Sequence, residues 1–220
     1  MDMYFRKVSF KQFKEDFYKL NYIEPTMTPA QEKCLEDTVR EIYDNIKLPR
    51  RKTPGAAGYD FFAPYAFQLE KGDAIMIPTG IRWDVSLAEG EDYPELVCGM
   101  VPRSGLGTKH GTGLLNTIGI IDCDYCVAKN TGHIILKIKN NGAGERLRGV
   151  YPDPNPTEGL FMTELHDDNI DDSTLRITAG DGFAQAIITK FFKVNNEIKP
   201  TESRNGGFGS TDEQKQPEQK

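Results

Sequence analysis

The chain has 220 residues, 38% hydrophobic and 10% aromatic, enough to bury a full core in one or two domains. Its net charge of −6 argues against non-specific binding to nucleic acid, which needs a basic surface, but leaves a small anion open because clustered arginines override the global balance. No apolar run reaches the roughly twenty residues that span a membrane, and the N-terminal MDMYFRKVSFKQF is too charged for a signal peptide, so a cytoplasmic location is expected.

Residues 1–45 read as helical, with Phe10, Phe13, Phe17 and Leu20 on one face. A second helix starts at Thr28-Pro29-Ala30-Gln31, where Thr28 caps, Pro29 takes the first position and Gln31 closes a capping box. Its apolar members Cys34, Leu35, Val39, Ile42 and Tyr43 keep the helical period. Packing on the neighbouring domain is the preferred role for these helices, with a partner surface as the alternative.

From about Lys47 the character changes to short apolar segments punctuated by Pro and Gly: AGYDFFAP, AIMIPTGIRWDV, LVCGMVP, TIGIID, HIILKIKN and AQAIITKFFKV. Many short strands between turn signals indicate an all-β sandwich, jelly roll or distorted barrel. No internal repeat appears. Residues 143–174, with YPDPNPTEG and the acidic LHDDNIDD, read as an inserted excursion. The organisation expected is a helical extension over 1–46, a β domain over 47–211 and a polar, disordered tail over 212–220.

The four cysteines (Cys34, Cys98, Cys123, Cys126) lie in no secretory context and read as reduced. Cys123-x-x-Cys126 has the look of half a zinc site or a redox pair, yet His133 is the only histidine or cysteine close behind. The segment from Pro102 to Tyr125 carries more. An Arg-Ser-Gly turn offers a guanidinium, a hydroxyl and backbone N–H groups to phosphate oxygens. About twenty residues on, an apolar run ends in two aspartates and a tyrosine, and a carboxylate there suits polarisation of a water. The two features are close enough to meet in one hairpin, which points to hydrolysis of a phosphorylated small molecule.

Five ordered segments closely resemble the trimeric dUTPase family (deoxyuridine triphosphate nucleotidohydrolases): AGYDFFA (57–63), PRSGLG (102–107), NTIGIIDCDY (116–125), AGDGFAQ (179–185) and RNGGFGST (204–211). The resemblance covers roughly 47–211 apart from the excursion. It implies a distorted jelly-roll or barrel fold, hydrolysis of dUTP to dUMP and pyrophosphate, and a homotrimer with shared sites. By resemblance, Arg103, Ser104 and Gly105 clamp phosphate. Asn116, Gly119, Ile120 and Ile121 meet the uracil edge, with Ile135 on the returning strand of a hairpin. Tyr125 packs under the deoxyribose and leaves no room for a 2′-hydroxyl. Asp122 is the general base that aims water at the α-phosphorus, while Asp124, nominally on the same face of the strand, tunes it or caps the turn. Asp60 supports the site and Gln185 lies near the phosphates. Arg204 with Gly209, Ser210 and Thr211 closes on the γ-phosphate, and Phe208 stacks on the base. Magnesium is expected on the triphosphate, keeping most of its waters, with no direct protein ligand.

Two departures stand out: Gly182 replaces an arginine common in the fourth motif, and CVAKNT lengthens the tip after Tyr125. The alternatives are a same-fold pyrophosphatase for another pyrimidine deoxynucleotide and a nucleotide-gated regulatory protein. The second would engage a protein partner through 1–46 or 143–174.

Overall fold

The segments expected as strands after residue 47 are strands in the computed structural model, which describes residues 2–21, 27–88, 90, 92–127, 132–142, 146–152, 161–166 and 174–198. In chain order the strands are β1 (Asp2–Lys7), β2 (Tyr59–Phe62), β3 (Phe67–Leu69), β4 (Ala74–Ser86), β5 (Leu96–Pro102), β6 (Thr112–Leu114), β7 (Gly119–Asp122), β8 (His133–Asn140), β9 (Arg146–Pro152), β10 (Phe161–His166), β11 (Leu175–Ile177) and β12 (Gly182–Lys190). The helices are α1 (Phe10–Leu20), α2 (Pro29–Asp44) and the short α3 (Ser104–His110), with a 3-10 turn at Cys123–Val127. The fold is all-β, built from antiparallel sheets with a jelly-roll-like crossing of the chain between them.

Two four-stranded sheets carry the core, in the orders β1-β4-β8-β6 and β2-β12-β5-β7. Ile77, Ile81, Trp83, Ile134 and Ile138 from the first sheet and Phe61, Met100, Phe183 and Ala184 from the second are buried in one cluster. Strands β9 and β10, within the acidic excursion, pair with each other as a two-stranded ribbon.

The N-terminal reading needs one correction. Residues 2–7 are not helical: they form β1, paired along its whole length with the edge of β4 from Asp2↔Ser86 to Lys7↔Ile81. The cause is sheet pairing plus a single apolar anchor. Phe5 packs edge-on against Phe61 at 5.5 Å and tilted against Tyr59 at 5.4 Å. The helices follow the sequence signals. Ser9 caps α1, and the Thr28–Gln31 capping box opens α2. Phe13 and Val39, both fully buried, dock them on the sheet, whereas Cys34 is exposed.

Strand β4 bulges where it passes β8, its register shifting between Pro78 and Arg82. Gly80 at the bulge has φ +72°, and a Cβ there would lie 2.2 Å from Ile46 Cδ1. The bulge is also where the N-terminal segment docks, because Val8 N–H donates to Gly80 O at 3.0 Å and Tyr43 Oη–H to Val8 O at 2.7 Å. Left-handed backbone and overpacking act together here, so Gly80→Ala is expected to cost about 2–4 kcal/mol. Chemical denaturation monitored by circular dichroism checks the figure, and a loss below about 1 kcal/mol would refute this reading of the bulge.

Candidate active site

Two sets of the sequence-predicted residues assemble, each around its own cavity. The first cavity, about 530 Å³, lies where the two sheets part between β7 and β8. Asn116, Gly119, Ile120, Ile121, Tyr125 and Ile135 all line it, joined by Met76, Leu115, Leu136 and Lys137, which sequence reasoning missed. Strand β7 is the edge of its sheet, so its outer main-chain N–H and C=O groups are not used in sheet pairing. The turn feeding β7 is tight: Thr117 sits at φ +62°. Gly119 allows close approach, since a Cβ there would meet Met100 Cβ at 3.1 Å and Asn116 Nδ2 at 3.6 Å. Tyr125 is buried, and its hydroxyl donates to His133 O at 3.1 Å.

The second cavity, about 440 Å³, is strongly polar and lined by Arg50, Arg51, Lys52, Asp60, Phe62 and Arg103. Asp60 is its hub. One carboxylate oxygen accepts from Gln185 Nε2 at 2.8 Å, and the other lies 3.8 Å from Arg103 Nη2. The register explains the meeting, because Gln185 on β12 stands opposite Asp60 on β2. Gly58 leaves the room: a Cβ there would lie 3.0 Å from Gln185 Oε1. The first, second and fourth motifs are thus joined at one end of one sheet.

Gly182 is explained at the same place. A Cβ on it would come within 2.7 Å of Arg103 Nη1, and Arg103 Nη1–H points at Gly182 O at 3.5 Å. The guanidinium of Arg103 therefore lies over the residue where an arginine was anticipated. Nearby, Asp181 is held below its ordinary carboxylate range by hydrogen bonds from the Thr178 hydroxyl and backbone, helped by Lys47 and Arg103. The run Arg50-Arg51-Lys52 lies shortly before the first motif, and that basic run was the overlooked signal.

Ser104 and Gly105 open α3 and are exposed at its first turn. The Arg-Ser-Gly segment is therefore a helix start rather than a free turn, terminated by Gly111 in the left-handed region. Nor does the Pro102–Asp122 stretch fold as one hairpin: β6 pairs with β8 in one sheet, whereas β7 pairs with β5 in the other. For the same reason β7 and β8 are not a simple hairpin.

Asp122 ends β7 and lines a third cavity, about 600 Å³, with Asp92, Tyr93, Leu96, Asp124, Phe191, Lys193 and Glu197 among its walls. Asp122 and Asp124 do not share a strand face, because Asp124 already belongs to the 3-10 turn. Arg204, Phe208, Gly209, Ser210 and Thr211, with the hairpin tip at 128–131, lie outside the described residues.

The Cys-x-x-Cys pair binds inward. Cys123 Sγ–H points at Leu96 O at 3.0 Å, Cys126 Sγ–H at Cys123 O at 3.4 Å, and all four thiols are free. Among the described residues no group of three or more His, Cys, Asp or Glu side chains is placed to hold a metal. Burial pushes the Cys98 thiol up to about 12 and the Cys123 thiol up to about 11.

The family model for dUTPase matches residues 44–143. The deoxyuridine 5'-triphosphate nucleotidohydrolase of Shewanella halifaxensis is 31% identical over 188 residues, covering 83% of this chain and 95% of that protein. The enzyme of the same name from Actinobacillus succinogenes is 30% identical over 168 residues, covering 74% and 85%. Among solved structures, a mutant dUTPase from phage phi11 of S. aureus, described with a structural Mg(II) ion, is 27% identical. It covers 72% of this chain and 92% of its own at a TM-score of 0.46.

Burial of the thiols yields a direct check. In the native protein at pH 8 a thiol reagent should label exposed Cys34 rapidly and spare Cys98 and Cys123, as mass spectrometry will show. Unfolded thiols ionise from about 9, so the stability tied to these buried, protonated groups is present below that pH and falls as pH rises toward 11–12. Fast labelling of Cys123 at pH 8 would contradict the buried placement.

Proposed function

Because the chain belongs to the dUTPase family, we propose that it hydrolyses dUTP to dUMP and pyrophosphate with residues of the three cavities described. The observation that carries the reading is the cavity between β7 and β8, which gathers Asn116, Gly119, Ile120, Ile121, Tyr125 and Ile135. A uracil entering it meets the outer main-chain edge of β7, as a peptide meets a sheet edge, and Asn116 supplies a side-chain amide. Tyr125 lies under the deoxyribose. Its hydroxyl is already engaged, so the ring is a fixed wall with no space for a 2′-hydroxyl.

The triphosphate needs cations held in place before it arrives. Arg103 supplies one, with Ser104 Oγ–H, the exposed N–H groups of Ser104 and Gly105, and Gln185 beside it. Asp60 orients both Arg103 and Gln185, and Arg50, Arg51 and Lys52 add positive charge along the same wall. Asp122 takes the proton of a water directed at the α-phosphorus, in line with the departing pyrophosphate. Arg204, Ser210, Thr211 and Gly209 close on the γ-phosphate and Phe208 covers the base. Magnesium would be carried on the triphosphate with few direct protein ligands and would supply neutralisation of its charge. The carboxylates Asp60 and Asp122, lining different cavities, suit an ion held in this way rather than in a protein cage.

The base-binding and phosphate-binding sets line different cavities of one chain. This separation supports a homotrimer in which each complete site joins the phosphate set of one protomer to the base set of another. The β domain over 47–211 carries the chemistry. Residues 1–46 act as its brace, and the 143–174 segment and the 212–220 tail stand outside the reaction. Four free thiols suit a reducing, cytoplasmic setting.

Substitution tests the assignment. Asp122→Asn should lower kcat for dUTP by about 10²–10⁴-fold while KM stays near the wild-type value. Tyr125→Ala should raise kcat/KM for UTP relative to dUTP. Steady-state pyrophosphate release measures both, and an Asp122→Asn enzyme with unchanged kcat would remove Asp122 from its role.

A further inference from the structure

Within the proposed reaction, Tyr125 has to stand at one position, because discrimination against a hydroxyl by a wall depends on where the wall is. Two bonds fix it. Arg82 Nη2–H donates to Cys126 O at 3.2 Å, bracing the 3-10 turn that carries the tyrosine. The Tyr125 hydroxyl donates to the carbonyl of His133, the first residue of β8. The second bond is only as firm as His133.

At the start of β8 the ladder to β4 is interrupted: His133 stands opposite Arg82 and Ile135 opposite Pro78, with a register shift between them. The bulge between Pro78 and Arg82 takes the intervening residues out of register, so side chains replace the missing ladder. Thr79 Oγ1–H donates to Ile134 O at 2.6 Å, and Gly80 N–H donates to His133 Nε2 at 2.8 Å. With Nε2 accepting, the ring proton is on Nδ1, and Nδ1–H donates to Asp16 Oδ2 at 2.6 Å. The imidazole is wholly inaccessible to solvent, and the Asp16 side chain is 15% exposed.

Asp16 lies on α1, outside the residues matched by the family model, and 117 positions from His133 in sequence. It is held for this contact. Gln12 Nε2–H donates to the same oxygen at 2.9 Å, and Ser9 anchors the start of the helix through Gln12 N. Burial alone would raise the Asp16 carboxyl, but hydrogen bonds from His133 and Gln12, with Lys19 nearby, bring it below its ordinary value. The carboxylate is therefore charged at neutral pH and a strong acceptor.

We propose that Asp16 and His133 are a positioning pair for Tyr125, through which the N-terminal helix sets the enzyme's preference for deoxyribonucleotides over ribonucleotides. The inference rests on the dUTP reading above and adds to it a residue from outside the catalytic motifs. Removing Asp16 leaves a buried Nδ1–H without its acceptor. The ring then turns, the His133 carbonyl moves, and the tyrosine loses its register against the sugar.

The test compares Asp16→Ala, the milder Asp16→Asn and a control, Phe17→Ala, which weakens the same helix by removing its ring contacts with Phe13 and Tyr65 without touching His133. For each, kcat/KM is measured with dUTP and with UTP, alongside Tm. The dUTP-to-UTP ratio should fall about tenfold or more in Asp16→Ala, be largely kept in Asp16→Asn, whose amide oxygen still accepts, and be unchanged in Phe17→Ala at a similar loss of Tm. If Asp16→Ala does not fold, Asp16→Ser answers the same question. A preserved ratio in the Asp16 variants, or an equal loss in Phe17→Ala, overturns the proposal.

A second readout needs no turnover. In protein labelled with ¹³C-tyrosine, the ring signals of Tyr125, assigned through Tyr125→Phe, should shift in Asp16→Ala and stay fixed in Phe17→Ala. Tyrosine signals that respond in an otherwise inactive wild type would refute the dUTP reading and keep the link. Unmoved signals would refute the link whatever the activity.

Discussion

A buried imidazole with both nitrogens occupied governs how this molecule is put together. His133 stands where β4 bulges away from β8, and it replaces the lost ladder by accepting from Gly80 N–H and donating to Asp16. The bulge needs a glycine at φ +72°, and the glycine's carbonyl receives Val8 N–H from the N-terminal segment. One irregularity thereby joins α1, β4 and β8, and Tyr125, in the cavity between β7 and β8, hangs from the His133 carbonyl.

Electrostatics divide the surface in a way that the net charge of −6 conceals. Arg50, Arg51, Lys52 and Arg103 converge on one cavity whose lining among the described residues includes one carboxylate, Asp60, already engaged with Gln185. A polyanion entering there replaces water with fixed donors, which is the arrangement that stabilises charge developing on a leaving pyrophosphate. Opposite character marks the cavity around Asp122, where Asp92, Asp124 and Glu197 outnumber Lys193. A basic cavity and an acidic one on the same chain are what the proposed hydrolysis asks for, cations for a polyanion and carboxylates for a water.

Much of this was legible in the sequence, for identifiable reasons. The turn-separated β segments and the Thr28–Gln31 capping box are local signals, and local physics decides them. The residues that line the cavity between β7 and β8 were legible as a group because they fall on one short stretch, 116–125, with Ile135 opposite. Strand β1 was not, because its six residues take their conformation from β4 rather than from their own pattern. The expected hairpin at 102–125 failed where the chain crosses from one sheet to the other, a long-range choice that turn residues do not encode. His133 was noted only as the one histidine close behind the Cys-x-x-Cys pair. Its real partners, Gly80 and Asp16, are 53 and 117 residues away, beyond the reach of spacing arguments. Gly182 looked like a loss until Arg103 was seen lying over it.

Attack at the α-phosphorus of dUTP is the claim on which the rest turns, and isotope labelling tests it most directly. Wild-type protein with magnesium and dUTP in ¹⁸O-water should release unlabelled pyrophosphate and dUMP carrying the label on its phosphate, as mass spectrometry of the products will show. Label in the pyrophosphate would mean attack at the β-phosphorus, and release of inorganic phosphate would mean attack at the γ-phosphorus. Either result would contradict the account.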